Sequence, residues 1–216
     1  MATTRIMPLH IGKGRTESRA ISDIIDYVEN PQKTDNGKLI TGYGCDSRTA
    51  DAEFLLAKRQ YIAATGRVRG ADDVIAYHVR QSFKPGEITP EEANRLGVEF
   101  AKRFTKGNHA FVVCTHIDKS HVHNHIIFCA ADNIEHNKYH DCKQSYYHIR
   151  KLSDELCKEH NLSVIIPGAQ RGRKYKEWQS DQNGSAWKTQ IRKNINFCIK
   201  SASTYEEFLL LMRAKG

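Results

Sequence analysis

Four histidines and an aspartate fall within the ten residues from His116 to His125, in the stretch THIDKSHVHNH. On a β-strand alternate residues share a face, so His121, His123 and His125 would project together, two residues apart. His116 would arrive from a neighbouring strand. Imidazoles that converge in this way make a metal site; neutral imidazole suits zinc, manganese, iron or copper, whereas magnesium prefers oxygen. Asp118, two residues after His116, is close enough to accept a hydrogen bond from a ring nitrogen and fix its tautomer. The plainer readings are an exposed polar strand face or a structural zinc. A structural zinc is usually closed by four ligands, often thiolates, and no cysteine is placed to complete the set, so an open coordination position is expected. An open divalent ion polarises a carbonyl or phosphoryl oxygen and stabilises the charge that develops on it.

Charge favours the phosphoryl oxygen. The 216 residues carry a net charge of +8, and its distribution says more than its size. Between Gln170 and Lys200 lie Arg171, Arg173, Lys174, Lys176, Lys188, Arg192, Lys193 and Lys200, against Glu177 and Asp181. Tyr175, Trp178 and Trp187 are interleaved with them, and single-stranded nucleic acid is held by just such cations on phosphates and aromatic faces under bases. A solvated basic tail is the alternative. The six cysteines form no C-x-x-C pair and several sit in apolar runs, which fits a reducing, cytoplasmic setting. The first residues contain no apolar signal core, and the longest apolar run, Ile126 to Ala131, is too short to cross a bilayer.

Periodicity places these residues on elements. "TRIMPLH" reads as a strand, and "ESRAISDIIDYVEN" puts Ala20, Ile21, Ile24, Ile25 and Val28 on one helical face, with Pro31 ending the helix. "KLITGYG" is a short strand. Asp46 or Ser47 caps a helix that runs to about Gly66, with Phe54, Leu55 and Ile62 on its apolar side. "DDVIAYHVRQSF" is strand-like, and Thr89-Pro90-Glu91-Glu92 is a capping box that starts a helix ending near Phe104. "HAFVVCTHI" and "HVHNHIIFCAA" form an antiparallel hairpin. "SYYHIRKLSDELCKEH" is a helix and "SVII" a short strand after it. These elements predict an α+β fold, a mostly antiparallel five-stranded sheet with helices returning to one side. A boundary near Pro167-Gly168 separates a catalytic domain, residues 1–167, from a basic helical extension, residues 168–216, that is expected to bind DNA and to continue into a further C-terminal region.

"HIDKSHVHNHIIF" resembles the metal motif of conjugative relaxases, the mobilisation nucleases of the histidine-hydrophobe-histidine endonuclease superfamily, and most closely their MobP-type group. "AISDIIDYVENPQKT" looks like the tyrosine motif of that family. "GYGCD", "YHVRQSFKPGEITPEEA" and "LSDELCKEHNLSVI" are similar to further segments in the same order, so the resemblance covers about residues 1–167. It implies the relaxase nuclease fold, a divalent cofactor (Mn²⁺ or Mg²⁺, with Zn²⁺ also fitting), and site- and strand-specific nicking and joining at an origin of transfer. It also implies single-stranded or hairpin origin DNA as partner, accessory transfer and coupling proteins beside it, and no membrane insertion.

Residue by residue, His116, His123 and His125 fall on the metal ligands, Asp118 on the supporting aspartate and Tyr27 on the catalytic tyrosine. The middle residue of the superfamily signature is usually hydrophobic and here is Asn124; reading the pair as His121 and His123 around Val122 would restore the pattern. Arg80 and Ser82 share a strand face with His78 in a segment that matches one near the family's active site, and are expected to contact DNA, as are Arg171, Arg173, Lys174, Trp178 and Trp187. A phenol suits strand transfer, because its ester keeps the bond energy of the cut strand and its pKa of about 10 makes it both an attacking and a leaving group. Asp118 or a metal-bound hydroxide is the expected acceptor of its proton. Tyr43, Tyr146 and Tyr147 are the rival phenols. The rival functions are a rolling-circle replication initiator and a non-catalytic zinc-containing DNA-binding module, with a hydroxide-dependent hydrolase a weaker third.

Overall fold

The computed structural model describes residues 2–12, 14–68, 70, 73–132, 134–165 and 187–215, the side chain of Lys188 excepted. Two compact units divide the chain, Met1–Ile166 and Pro167–Gly216. In the first, five strands run in the order β1-β3-β5-β4-β2: β1 Thr3–His10, β2 Ile40–Tyr43, β3 Val74–Ser82, β4 Phe111–His116 and β5 His123–Cys129. Every neighbouring pair is antiparallel. The β4–β5 hairpin expected from the sequence is present, with His116 opposite His123.

Helices cover both faces of the sheet, not the one side expected. The reason lies in the strands. Strands β4 and β5 are buried along their whole length, so alternate residues on each face need apolar cover. Helices α1 (Glu17–Val28) and α2 (Ala50–Thr65) lie over one face, where Ile21, Ile25, Val28 and Phe54 pack with Val112, Cys114, Ile127 and Cys129. Helices α3 (Pro90–Thr105) and α4 (Lys143–Glu159) lie over the other, where Leu96, Phe100, Ile149 and Leu156 pack with Phe111, Val113, Ile126 and Phe128.

The helix ends follow local chemistry. Thr89 and Glu92 make the reciprocal capping box, with Pro90 at the first position of α3. Asp46 caps a short 3₁₀ turn, Ser47–Thr49, that leads into α2, and Gly66 closes α2 in the left-handed conformation. The lysine of α2 that faces inward, Lys58, is paired with Glu17 of α1 and with Asp73 ahead of β3; Asp73 is also paired with Lys138. That buried network fastens α1 to α2 and to the sheet. "SVII" does not form a strand among its described residues, Ser163–Ile165. The Ser163 N–H donates to Glu87, and Leu162 and Val164 are used as apolar cover for the α3/α4 core. β propensity without a strand edge to pair with is overridden by packing.

In the second unit, α5 (Trp187–Ser201) and α6 (Tyr205–Ala214) are helical, and Thr204 caps α6 through its side chain. Among the described residues no helix is long and apolar enough to cross a membrane.

Candidate metal centre and nucleophile

The stripe Val112-Cys114-His116 on β4 and its partner Cys129-Ile127-His125-His123 on β5 occupy one sheet face. The stripe is apolar where α1 and α2 cover it and changes to imidazole beyond them. His116, His123 and His125 are all buried, and one ring nitrogen of each belongs to a group of atoms lying within 4.8 Å of one another. His121 precedes β5 and stands outside that group among the described residues. Its ring lies 5.2 Å from that of His123, and its carbonyl accepts a hydrogen bond from His123 Nδ1 at 3.4 Å.

Each imidazole of the trio spends one nitrogen on the protein and keeps the other. His116 Nε2 donates to the Val28 carbonyl at 2.8 Å. A carbonyl can only accept, so the proton sits on Nε2 and Nδ1 keeps its lone pair. Val28 ends α1, so this bond also satisfies one of the helix's orphan carbonyls and turns the negative end of its dipole toward the centre. His125 Nδ1 lies 2.7 Å from His78 Nε2, while His125 Nε2 is buried with no hydrogen-bond partner. A cation at His125 Nε2 needs the lone pair there, which places the ring proton on Nδ1; in that tautomer His125 donates and His78 accepts. A buried polar atom left unpaired is costly. Here one nitrogen from each of the three rings lies within 4.8 Å of the other two, close enough to share a divalent cation.

Electrostatics keep these rings neutral. Burial, reinforced by the neighbouring His78, His116 and His123, pushes His125 down to about 2. Burial also takes His123 and His78 to about 4, and lowers His116 against the opposing pull of the Val28 carbonyl. Near neutral pH all four are unprotonated, the form that binds metal.

Tyr27 stands beside this centre. Its ring centroid is 5.8 Å from that of His125 and 6.2 Å from that of His116, edge-on to both, and the side chain is half exposed at the end of α1. No other described tyrosine has a ring contact with the trio. Tyr43 stacks on Phe111 at 4.9 Å and donates its hydroxyl to the Gly107 carbonyl. Tyr146 donates to Asp141 from α4, beneath the opposite face, and Tyr147 is exposed on the same helix.

Residues 27–162 match the family model described as a MobA/VirD2-like relaxase nuclease domain. The chain belongs to that family. Among curated relatives, a protein named rlx from Staphylococcus aureus is 34% identical over 217 residues, covering 100% of this chain and 61% of the relative. The group II intron-interrupted relaxase LtrB of Lactococcus lactis is 28% identical over 223 residues, covering 87% of this chain and 39% of LtrB. The chain thus spans about three-fifths, or less, of the length of these relatives. The MobM relaxase domain, solved with manganese and plasmid pMV158 oriT DNA, shares the relaxase fold with a TM-score of 0.55 at 11% identity, over 83% of this chain and 98% of that one.

The remaining sequence-predicted residues of this relaxase domain fall in several places. Asp118 lies in the turn after β4 and makes no hydrogen bond to the three imidazoles; its charge acts on His116 and His123 through space, and the Val28 carbonyl takes the tautomer-fixing role expected of it. Arg80 is exposed directly opposite His125 in the β3–β5 ladder, and Ser82 is opposite His123. Trp187 opens α5 with its ring exposed. Arg171, Arg173, Lys174 and Trp178 lie outside the described residues.

Asn124, the departure from the hydrophobic signature, points away from the metal face into the α3/α4 core. Its amide donates to Gln81 and to the Ala93 carbonyl and accepts from Thr115. Asn94 donates to Thr115, and Gln81 donates to Ser153 of α4. Gly97 of α3 makes room, since a Cβ there would lie 2.5 Å from the Asn124 amide nitrogen. A hydrophobe would leave these partners unsatisfied, so the asparagine belongs to a complete buried network that fixes β3, β4 and β5 in register behind the histidines. Sequence reasoning missed this network and the His78 contact. A polar residue inside an apolar strand run was the available signal for the first.

Proposed function

We propose that the chain is the nicking and joining domain of a conjugative mobilisation protein. It would cut one DNA strand at an origin of transfer through attack by Tyr27 on the scissile phosphate. The observation that carries this reading is the half-exposed phenol of Tyr27 set edge-on to two of three convergent imidazoles. The orphaned Nε2 of His125 supports a divalent ion at His116, His123 and His125. When bound, that ion supplies positive charge to a phosphate oxygen and to the charge that develops there.

The chain's own groups do the rest. The Tyr27 oxygen forms a bond to phosphorus while the bond from phosphorus to the 3′ oxygen breaks. The products are a 5′-phosphotyrosine and a 3′ hydroxyl, with one ester exchanged for another, so the reverse step rejoins the strand. The phenolic proton passes to a base, for which Asp118, in the turn after β4, is the candidate, and the departing 3′ oxygen takes a proton from solvent. Arg80 and Ser82, on the sheet face next to His125 and His123, contact the strand as it enters. The basic stretch after Gly168 adds phosphate contacts, making residues 168–216 a DNA-binding extension of the catalytic domain and the affinity salt-dependent. The setting is cytoplasmic, beside accessory transfer and coupling proteins, and manganese, the ion bound in the MobM crystal structure, is the first divalent ion to test, ahead of magnesium and zinc.

The test is incubation with Mn²⁺ and end-labelled single strands tiled across the DNA flanking the gene. Wild type should cut one strand at one position and leave a protein–DNA adduct stable to denaturation. Tyr27→Phe should form none, and His123→Ala should cut at least 100-fold more slowly. Equal adduct from Tyr27→Phe, or cutting without an adduct, overturns the reading.

A further inference from the structure

Lys33 is held where an ordinary surface lysine would not be. It lies in the loop joining α1 to β2, and that loop is tied down on both sides of it. The Lys33 N–H donates to the Asn30 carbonyl, and the buried hydroxyl of Thr34 donates to the same carbonyl at 3.0 Å. The Lys33 carbonyl accepts from Ile117 N–H at 3.0 Å, and the Leu39 carbonyl accepts from Thr115 N–H. Those bonds clamp the loop to the residues on either side of His116. The lysine backbone is therefore positioned by the strand end that positions a metal ligand.

The side chain turns toward the site. Its Nζ lies 4.4 Å from the centroid of the Tyr27 ring, and it pairs with no carboxylate among the described residues. Its charge also reaches His116. A cation over an exposed aromatic face is on its own a weak contact. This one sits over the phenol that faces the imidazole cluster, leaving an uncompensated ammonium and three convergent nitrogens around one phenolic ring. A phosphodiester drawn to that phenol has two non-bridging oxygens. One turns to the imidazole cluster. The other must find a partner, and more negative charge gathers on both as the fifth bond to phosphorus forms.

Building on the proposed reading of this site, we infer that the Lys33 ammonium contacts the scissile phosphate, on the non-bridging oxygen turned away from His116, His123 and His125. The lysine is then a catalytic residue and the counterpart of the metal centre. Arginine retains the charge and donors at this position, while methionine keeps the stem and removes the charge.

The test is a binding cycle in the Tyr27→Phe background, which keeps the ring and stops chemistry. Fluorescence anisotropy in Mn²⁺ follows a labelled single strand that spans the cut site. A neutral methylphosphonate is walked through that strand one linkage at a time, which also covers the case in which no cut position has been mapped. Lys33→Met should weaken binding to unmodified strand about tenfold and reduce the salt slope by about 0.7, the value of one single-strand phosphate contact. At one linkage, the scissile one, the two proteins should bind alike within about twofold, while methylphosphonate elsewhere leaves the tenfold gap; Lys33→Arg should follow the wild-type lysine throughout. Equal binding by Lys33→Met on unmodified strand overturns the inference, as does a tenfold gap that survives at every linkage. Melting temperature and Mn²⁺ affinity are measured for each variant, and should Lys33→Met fold poorly, Lys33→Gln takes its place. Loss of the covalent adduct with the coupling intact would remove the strand-transfer reading and keep Lys33 on the phosphate; adduct without coupling would do the opposite.

Discussion

Replacing His78 by leucine tests how the metal centre is held. His78 is half-buried on β3, its Nε2 2.7 Å from His125 Nδ1, where it accepts the ring proton in the metal-binding tautomer. Without it, His125 keeps its ring but loses the bond that sets its tautomer and aims Nε2. Removal of an acceptor behind a ligating histidine costs about 10- to 100-fold in metal affinity, or about 1.4–2.7 kcal/mol. The magnitude can be read from thermal stability. At Mn²⁺ fixed near 100 times the wild-type Kd, the ion stabilises the fold by about 2.7 kcal/mol, and a roughly 30-fold weaker site retains about 0.9 kcal/mol. For a domain of this size that is a metal-induced rise in Tm of about 5–11 °C in wild type against about 2–4 °C in His78→Leu. His78→Gln, which keeps an acceptor, should fall between them. Calorimetric titration of Mn²⁺ gives the affinities directly. A His78→Leu protein that binds Mn²⁺ within twofold of wild type would refute the assignment of His78 as the group that orients His125.

Three further outcomes follow from the same contacts. Without metal, acidification should destabilise the domain: His78, His123 and His125 have native pKa values depressed below their unfolded values, so the unfolded chain binds more protons once pH falls below about 6.5. The penalty grows as pH falls toward the native values, partly offset between about 7 and 4.5 by Glu29, which burial raises to about 7; urea unfolding from pH 7 to pH 4 checks the sign, and flat stability contradicts it. Asn124→Leu should lower stability by about 2–4 kcal/mol, because the Gln81, Thr115 and Ala93 polar groups lose their partner in a closed core; denaturant midpoints report it. Lys58→Met should cost about 1–3 kcal/mol, because Asp73 loses one of its two lysines while keeping Lys138 and Glu17 is partly exposed, and it should loosen α1, read as faster amide exchange near Tyr27.

What could be read from the chain and what could not divide along one physical line. Features set by neighbours in sequence were legible: the Thr89–Glu92 capping box, the β4–β5 hairpin and its opposed histidines, and the helix that carries Tyr27. The resemblance to relaxases named His116, His123 and His125, and these are the residues whose nitrogens converge. Features set by cross-strand register were not legible. His78 and His125 are 47 residues apart and meet diagonally, which requires the β3–β5 pairing to be known. The Val28 carbonyl is a backbone atom with no sequence signature at all. The strand reading of "SVII" failed because propensity says nothing of whether a sheet edge is within reach, and the one-sided sheet failed because β4 and β5 are buried on both faces and each face needs its own helices.

The central claim is that three imidazoles hold a divalent ion beside a phenol that becomes joined to DNA. Crystals grown with Mn²⁺ and the nicked strand, with anomalous scattering recorded at the manganese edge, address it in one measurement. The expected result is an anomalous peak bonded to His116 Nδ1, His123 Nε2 and His125 Nε2, and continuous density from the Tyr27 oxygen to a 5′ phosphate. A peak elsewhere, or a 5′ phosphate joined to a different side chain or to none, would contradict it.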